Sequence, residues 1–148
     1  MRQKPFDEYR HGEVFESHSR TITETDLVNF TCFAGLKLPI FIDEEFCREK
    51  SAFGTRVAPG FMTCAIAAGM MDDIVGPYTV ANLALDDFRF KGPVKPGDTI
   101  RIRMTVLEMR VTSDPSRGTL KYETAVLNQR GETVLTFLST NLMRRSLE

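Results

Sequence analysis

The segment Ala58-Pro59-Gly60-Phe61-Met62-Thr63-Cys64-Ala65-Ile66-Ala67-Ala68-Gly69-Met70-Met71 is apolar almost all the way round and carries four alanines. A surface helix shows one apolar stripe, whereas a stretch apolar on most faces must be buried on most faces. Length and alanine content favour a helix here over a strand. Pro59 suits a place before or within the first turn. Asp72-Asp73 would mark the end, but two acids at a helix C-terminus oppose its dipole, so Gly69 is the alternative stop. Either way, one such helix needs a wide apolar cover.

The rest of the chain offers a sheet to provide it. Ile100, Ile102, Met104 and Val106 alternate with Arg101, Arg103 and Thr105, the period of a strand with one wet face. Asp114-Pro115-Ser116-Arg117-Gly118 and Asn128-Gln129-Arg130-Gly131 supply turn chemistry on either side of a strand from Leu120 to Leu127. Val134 to Met143 makes the next strand. The spacing predicts an antiparallel meander with strands over 99–112, 119–128 and 133–144. A further strand is expected over Tyr78–Phe90, joined to the meander by a loop over 91–98, and another over Val14–Thr21. Thr23-Glu24-Thr25-Asp26 has the spacing of a capping box, which would start a helix through Leu27, Phe30 and Phe33. The order is one strand, a helical stretch, the apolar helix, then four strands, an α+β arrangement in a single domain over 1–148.

Composition narrows the function. The 148 residues carry 19 basic and 20 acidic side chains, and no basic block exceeds Arg144-Arg145, which argues against a nucleic-acid or anionic-membrane partner. No apolar run approaches the roughly 20 residues that span a bilayer, and Met1 to Glu8 lacks the apolar core of a signal peptide, so a cytoplasmic protein is expected. Cys32, Cys47 and Cys64 show no paired spacing and read as small buried side chains. Two histidines and three scattered cysteines make no zinc pattern, and no nucleotide or nucleophile-elbow motif is present, so neither metal nor cofactor is expected.

Three segments in order resemble the MaoC-like dehydratases, the family of the R-specific enoyl-CoA hydratases. They are Phe30 to Asp43 around Gly35-Leu36-Lys37-Leu38-Pro39-Ile40-Phe41, Ala52 to Met62, and Phe88 to Thr99 around Pro93-Val94-Lys95-Pro96-Gly97-Asp98. The first is similar to the family's Gly-Asp-x-Asn-Pro-x-His stretch, and the last to its Phe-x-x-Pro-Val-x-x-Gly-Asp stretch. The resemblance implies a hot dog fold, an antiparallel sheet wrapped round one long helix and paired into a dimer. It also implies acyl thioesters of coenzyme A or acyl carrier protein as substrates.

Carried over position by position, the family's Asp falls on Leu36, its Asn on Leu38 and its His on Phe41, while Gly35, Pro39 and Asp43 match. Adding water across an activated double bond needs a base for the water and an acid for the α-carbon, and neither Leu36 nor Phe41 can serve. The three replacements would give an apolar pocket suited to an acyl chain, or a loop that merely packs inward. Gly60 matches the position whose amide faces the thioester carbonyl oxygen, and Phe61 follows it in the same subsite. A helix N-terminus favours negative charge there, although a glycine needed only to start the helix tightly would look the same. The leading reading is therefore a thioester-binding homologue with weak or lost hydro-lyase activity. A thioesterase using Asp43, Glu44 or Asp72 as base is a second reading. A non-catalytic subunit in a heterodimer with an active homologue is the third. His11 and His18 are expected to face solvent, and Asp86 and Asp87 to point to opposite faces if their strand is regular.

Overall fold

The computed structural model describes residues 3–147. In chain order its elements are β1 (Val14–Glu16), β2 (Arg20–Thr21), α1 (Glu24–Ala34), α2 (Pro39–Ile42), α3 (Glu44–Lys50), α4 (Gly60–Val75), β3 (Thr79–Phe90), β4 (Thr99–Val111), β5 (Arg117–Leu127) and β6 (Thr133–Arg144). The sheet runs β1-β4-β5-β6-β3, with β2 also on β4, and every pairing is antiparallel. The predicted meander matches β4, β5 and β6 to within two residues at each end. Among the described residues no helix is long and apolar enough to cross a membrane.

The two periodicities meet in one core. Ile100, Ile102, Met104 and Val106 of β4 turn inward with Leu120, Tyr122 and Val126 of β5 and with Leu135 and Phe137 of β6. Met62, Ala67, Met70, Met71 and Ile74 of α4 meet them. Full burial of each large side chain stabilises the fold by about 1.5–3 kcal/mol relative to exposure. This is the hot dog arrangement, one long helix held against a curved antiparallel sheet.

α4 runs past both predicted stops and ends at Gly76, whose φ of +42° turns the chain into a 3-10 turn. Asp72 and Asp73 sit on its exposed side. Their opposition to the dipole is worth about 0.3–1 kcal/mol. Ile74 and Val75 follow at 2% and 3% exposure, and their burial outweighs it. The covering is also less complete than an all-apolar helix suggests, since Phe61, Ala65, Ala68 and Gly69 leave one side of α4 open. The expected first strand divides into β1 and β2 because Ser17 breaks the ladder: its N–H donates to Ile102 O at 3.0 Å and its Oγ accepts from Ile102 N–H at 3.0 Å. The N-terminal 3-10 turn Phe6–Glu8 has no periodic signal in the sequence, yet Phe6 and Tyr9 are core residues. Tyr9 Oη donates to Ile74 O at 3.0 Å and so satisfies a carbonyl in the last turn of α4.

The capping box forms as expected. Asp26 N–H donates to Thr23 Oγ1 at 3.0 Å, and Thr23 N–H donates to Asp26 Oδ2 at 2.9 Å. These bonds from Thr23, with Arg20 beside the carboxyl, hold Asp26 below the usual carboxylate range. Cys47 and Cys64 are buried, and burial pushes the Cys64 thiol up; Cys32 corrects the expectation, being exposed at the end of α1. Phe33 beside it is exposed as well.

Candidate functional site

The loop after α1 is shaped by the residues that match the family stretch. Gly35 adopts a left-handed conformation at φ +65° and closes α1, its N–H reaching Cys32 O and Thr31 O. A residue with a Cβ rarely adopts that conformation, so glycine serves here for backbone reasons. Pro39 opens α2, and Asp43 Oδ1 caps α3 by accepting from Phe46 N–H at 2.9 Å. Held between these three turns, Leu36, Leu38 and Phe41 line a pocket of about 700 Å³. The opposite wall is the start of α4 from Ala58 to Phe61 and Thr63, closed by the Phe90–Val94 loop, Val134 and Leu135. Backbone bonds from Val57 N–H to Ile40 O at 3.1 Å and from Ala58 N–H to Val94 O at 2.7 Å pin the walls together.

Gly60 opens α4 at this pocket, and Pro59 offers its first turn no side-chain cap. Pro59 O accepts from Met62 and Thr63 N–H at 2.9 and 3.2 Å. The Gly60 and Phe61 N–H groups have no acceptor among the described residues. Two unpaired amides at the positive end of a 16-residue helix are suited to an anion or a polarised carbonyl oxygen. A methyl on Gly60 would overlap the Phe90 ring. That ring belongs to a stack with Phe88 and Phe137, at centroid spacings of 6.4 and 5.3 Å. Close approach of Phe90, beyond a tight helix start, therefore accounts for glycine. Phe61 is 71% exposed at the rim. Thr63, Phe90 and Lys91 also line the pocket and were not singled out from the sequence, although Phe90 and Lys91 fall inside the matching Phe88 to Thr99 segment.

No carboxylate lines the pocket among the described residues. Asp43 is occupied as a cap, and Asp72 lies at the other end of α4. Glu44 is held by Thr55 Oγ1, which donates at 2.7 Å, and by Arg56, whose N–H and Nε donate at 3.2 and 3.0 Å. Arg56 also reaches Glu24 at 2.6 Å and so ties α1 to α3 behind the pocket. The Thr55 and Arg56 hydrogen bonds bring the Glu44 carboxyl down to about 2. A depressed folded-state value stabilises the protein above the unfolded value of 4.5 and loses that effect as pH falls toward 2. Glu44→Gln is therefore expected to melt lower than the parent at pH 7 and to converge with it near pH 2 in thermal denaturation. A constant gap across that window would show that the ion network does not act through Glu44.

The remaining candidates lie elsewhere. His11 and His18 are both exposed; His11 Nδ1 lies 2.7 Å from Leu107 O, and His18 Nδ1 lies 3.3 Å from Asp73. The strand at Asp86-Asp87 is not regular: the β3–β6 register shifts there and Asp87 takes φ +51°. Strict alternation thus fails at this bulge, and Asp87 pairs with Arg89 at 2.7 Å on the exposed edge, outside the pocket.

A model of the MaoC like domain matches residues 7–127. The chain is 39% identical to Protein MaoC of Klebsiella aerogenes over 103 residues, covering 70% of this chain and 30% of that protein. It is 30% identical to an (R)-specific enoyl-CoA hydratase of Rhodospirillum rubrum over 107 residues, covering 68% of each. Among solved structures, the monoamine oxidase regulatory protein of Archaeoglobus fulgidus superposes with a TM-score of 0.88 at 34% identity, over 97% of this chain and 96% of that one. The chain spans only 30–41% of the length of the longer curated relatives it matches. With its hot dog fold and a family match across residues 7–127, the chain belongs to the MaoC-like dehydratase family.

Proposed function

We propose that this protein binds acyl thioesters of coenzyme A or an acyl carrier in the pocket between the Gly35–Asp43 loop and the start of α4, with little or no hydro-lyase activity. One observation carries the reading: Leu36, Leu38 and Phe41 line the pocket opposite the unpaired amides of Gly60 and Phe61. The apolar loop suits the acyl chain, and the helix terminus suits the carbonyl oxygen. Water activation needs a proton acceptor, and the loop presents none to the pocket, because Asp43 caps α3 outside it. The thioesterase reading is weaker, because Asp43, Glu44 and Asp72 all lie outside the pocket.

Binding of an acyl chain in such a pocket should follow its apolar area. Each buried methylene contributes about 0.8 kcal/mol, so two added carbons should tighten binding roughly tenfold until the pocket is full. Isothermal titration with butyryl-CoA and hexanoyl-CoA measures this directly. Equal affinity for both, matching that of free CoA, would place the acyl group outside the pocket and sink the proposal.

A further inference from the structure

Among the described residues, the buried side-chain oxygens Tyr122 Oη, Ser139 Oγ, Asn141 Oδ1 and Thr79 Oγ1 have no hydrogen-bond partner. The first three belong together. Tyr122 on β5 stands directly opposite Ser139 on β6, and Asn141 is the next inward residue of β6. Alternate residues of a strand share a face, and neighbours across a ladder have Cβ atoms about 4.5–5.5 Å apart. Exposure is 0% for Tyr122 and Ser139 and 3% for Asn141, so bulk solvent does not satisfy them. Thr124, the next inward residue of β5, shows the contrast: its Oγ1 donates to Met71 Sδ of α4 at 2.9 Å. None of the three lines the pocket at the start of α4.

A buried polar atom left unpaired costs its full desolvation. The chemistry of the three residues says what would remove that cost. Burial pushes the Tyr122 phenol up to about 12, with Ser139 and Asn141 opposing the shift, so the ring keeps its proton at neutral pH. Two hydroxyls can then donate or accept, and the Asn141 amide oxygen accepts. This neutral set offers an ion no counter-charge, and an apolar group would leave every atom of it unpaired. Water both donates and accepts, and a buried water typically makes about three such bonds. We infer that Tyr122, Ser139 and Asn141 form a binding site for an ordered water molecule, which bridges their side chains in the core between the sheet and α4. The site is independent of the thioester-binding reading.

A crystal structure of the parent protein at a resolution that orders buried solvent tests it directly. The expected result is a water peak within about 2.7–3.2 Å of at least two of the three atoms. Thermal melts test the same site through the sign of the change. A bridging water makes each of its partners stabilising, so Tyr122→Phe and Ser139→Ala should each melt about 2–4 °C below the parent. Without the water, removing an unpaired hydroxyl relieves a penalty, and the variants would melt at or above the parent. Either variant melting so, or a parent structure with no such peak, overturns the site. If a variant does not fold, the parent structure decides alone.

Discussion

The protein is expected to hydrate crotonyl-CoA at a negligible rate, and Leu36→Asp, Leu38→Asn and Phe41→His together to create measurable hydratase activity. Hydration joins a water oxygen to the β-carbon and a proton to the α-carbon. A positioned base and a positioned acid each contribute about 10²–10⁴ to such a rate, so losing both removes most of it. What the triple variant needs besides the side chains is the backbone that aims them. That backbone is held by turns made independently of the three positions: Gly35 in its left-handed conformation, Pro39 opening α2, and Asp43 capping α3. Phe41→His alone should stay inactive, because a lone imidazole has no partner acid. The new Asp would enter an apolar pocket, where desolvation raises its pKa, so the rate should climb with pH until that carboxyl is ionised. Steady-state assays that follow the loss of the conjugated enoyl absorbance measure both rates. Parent protein turning over several times per second would show that the positional match is misaligned. A folded but silent triple variant would locate the change in the pocket rather than in its three side chains.

The parts of the fold legible in the sequence are those with a strong repeat. β4 alternates Ile100, Ile102, Met104 and Val106 against polar neighbours, and burial follows that alternation residue by residue. Gly60, Leu36, Leu38 and Phe41 are picked out only by the resemblance to the family's motifs, and all four line one pocket. Signals that depend on a single contact were not legible. Tyr9 belongs to the core because its hydroxyl meets Ile74 O, a pairing across 65 residues with no local signature. Thr63 reads as one more residue of an apolar helix, and only the fold shows that it lines the pocket. The helix end was misjudged because a dipole rule was weighed without the burial of Ile74 and Val75 beyond it. The bulge at Asp87 was invisible for a similar reason: it is a mismatch of register with β6, which lies some fifty residues away in the chain.

A dimer is the remaining large expectation, and β3 is the reason. This strand is 12 residues long and pairs with β6 on one side only. Val80, Leu83 and Leu85 are 38%, 55% and 48% exposed on it. Native edges are usually blunted by lysine, proline or inward charges, and residues 79–85 carry none of these; the charged Asp86, Asp87 and Arg89 come only after them. The open side of α4, with Phe61 and Ala65, adds apolar surface to that of the edge. A second copy would cover both, and two-fold symmetry would set the strand against itself. Light scattering at micromolar concentration should give twice the chain mass of 16.8 kDa. Leu83→Lys with Leu85→Lys should return the protein to 16.8 kDa, because each charge enters the interface twice and meets its own kind. Its melting temperature should fall as the concentration-dependent part of the stability is lost. Parent protein found only at 16.8 kDa would refute the homodimer. If that monomer then paired with a homologue whose loop carries Asp and His, the edge would be an interface for an active partner, and the stripped loop of this chain would be the non-catalytic half of the pair.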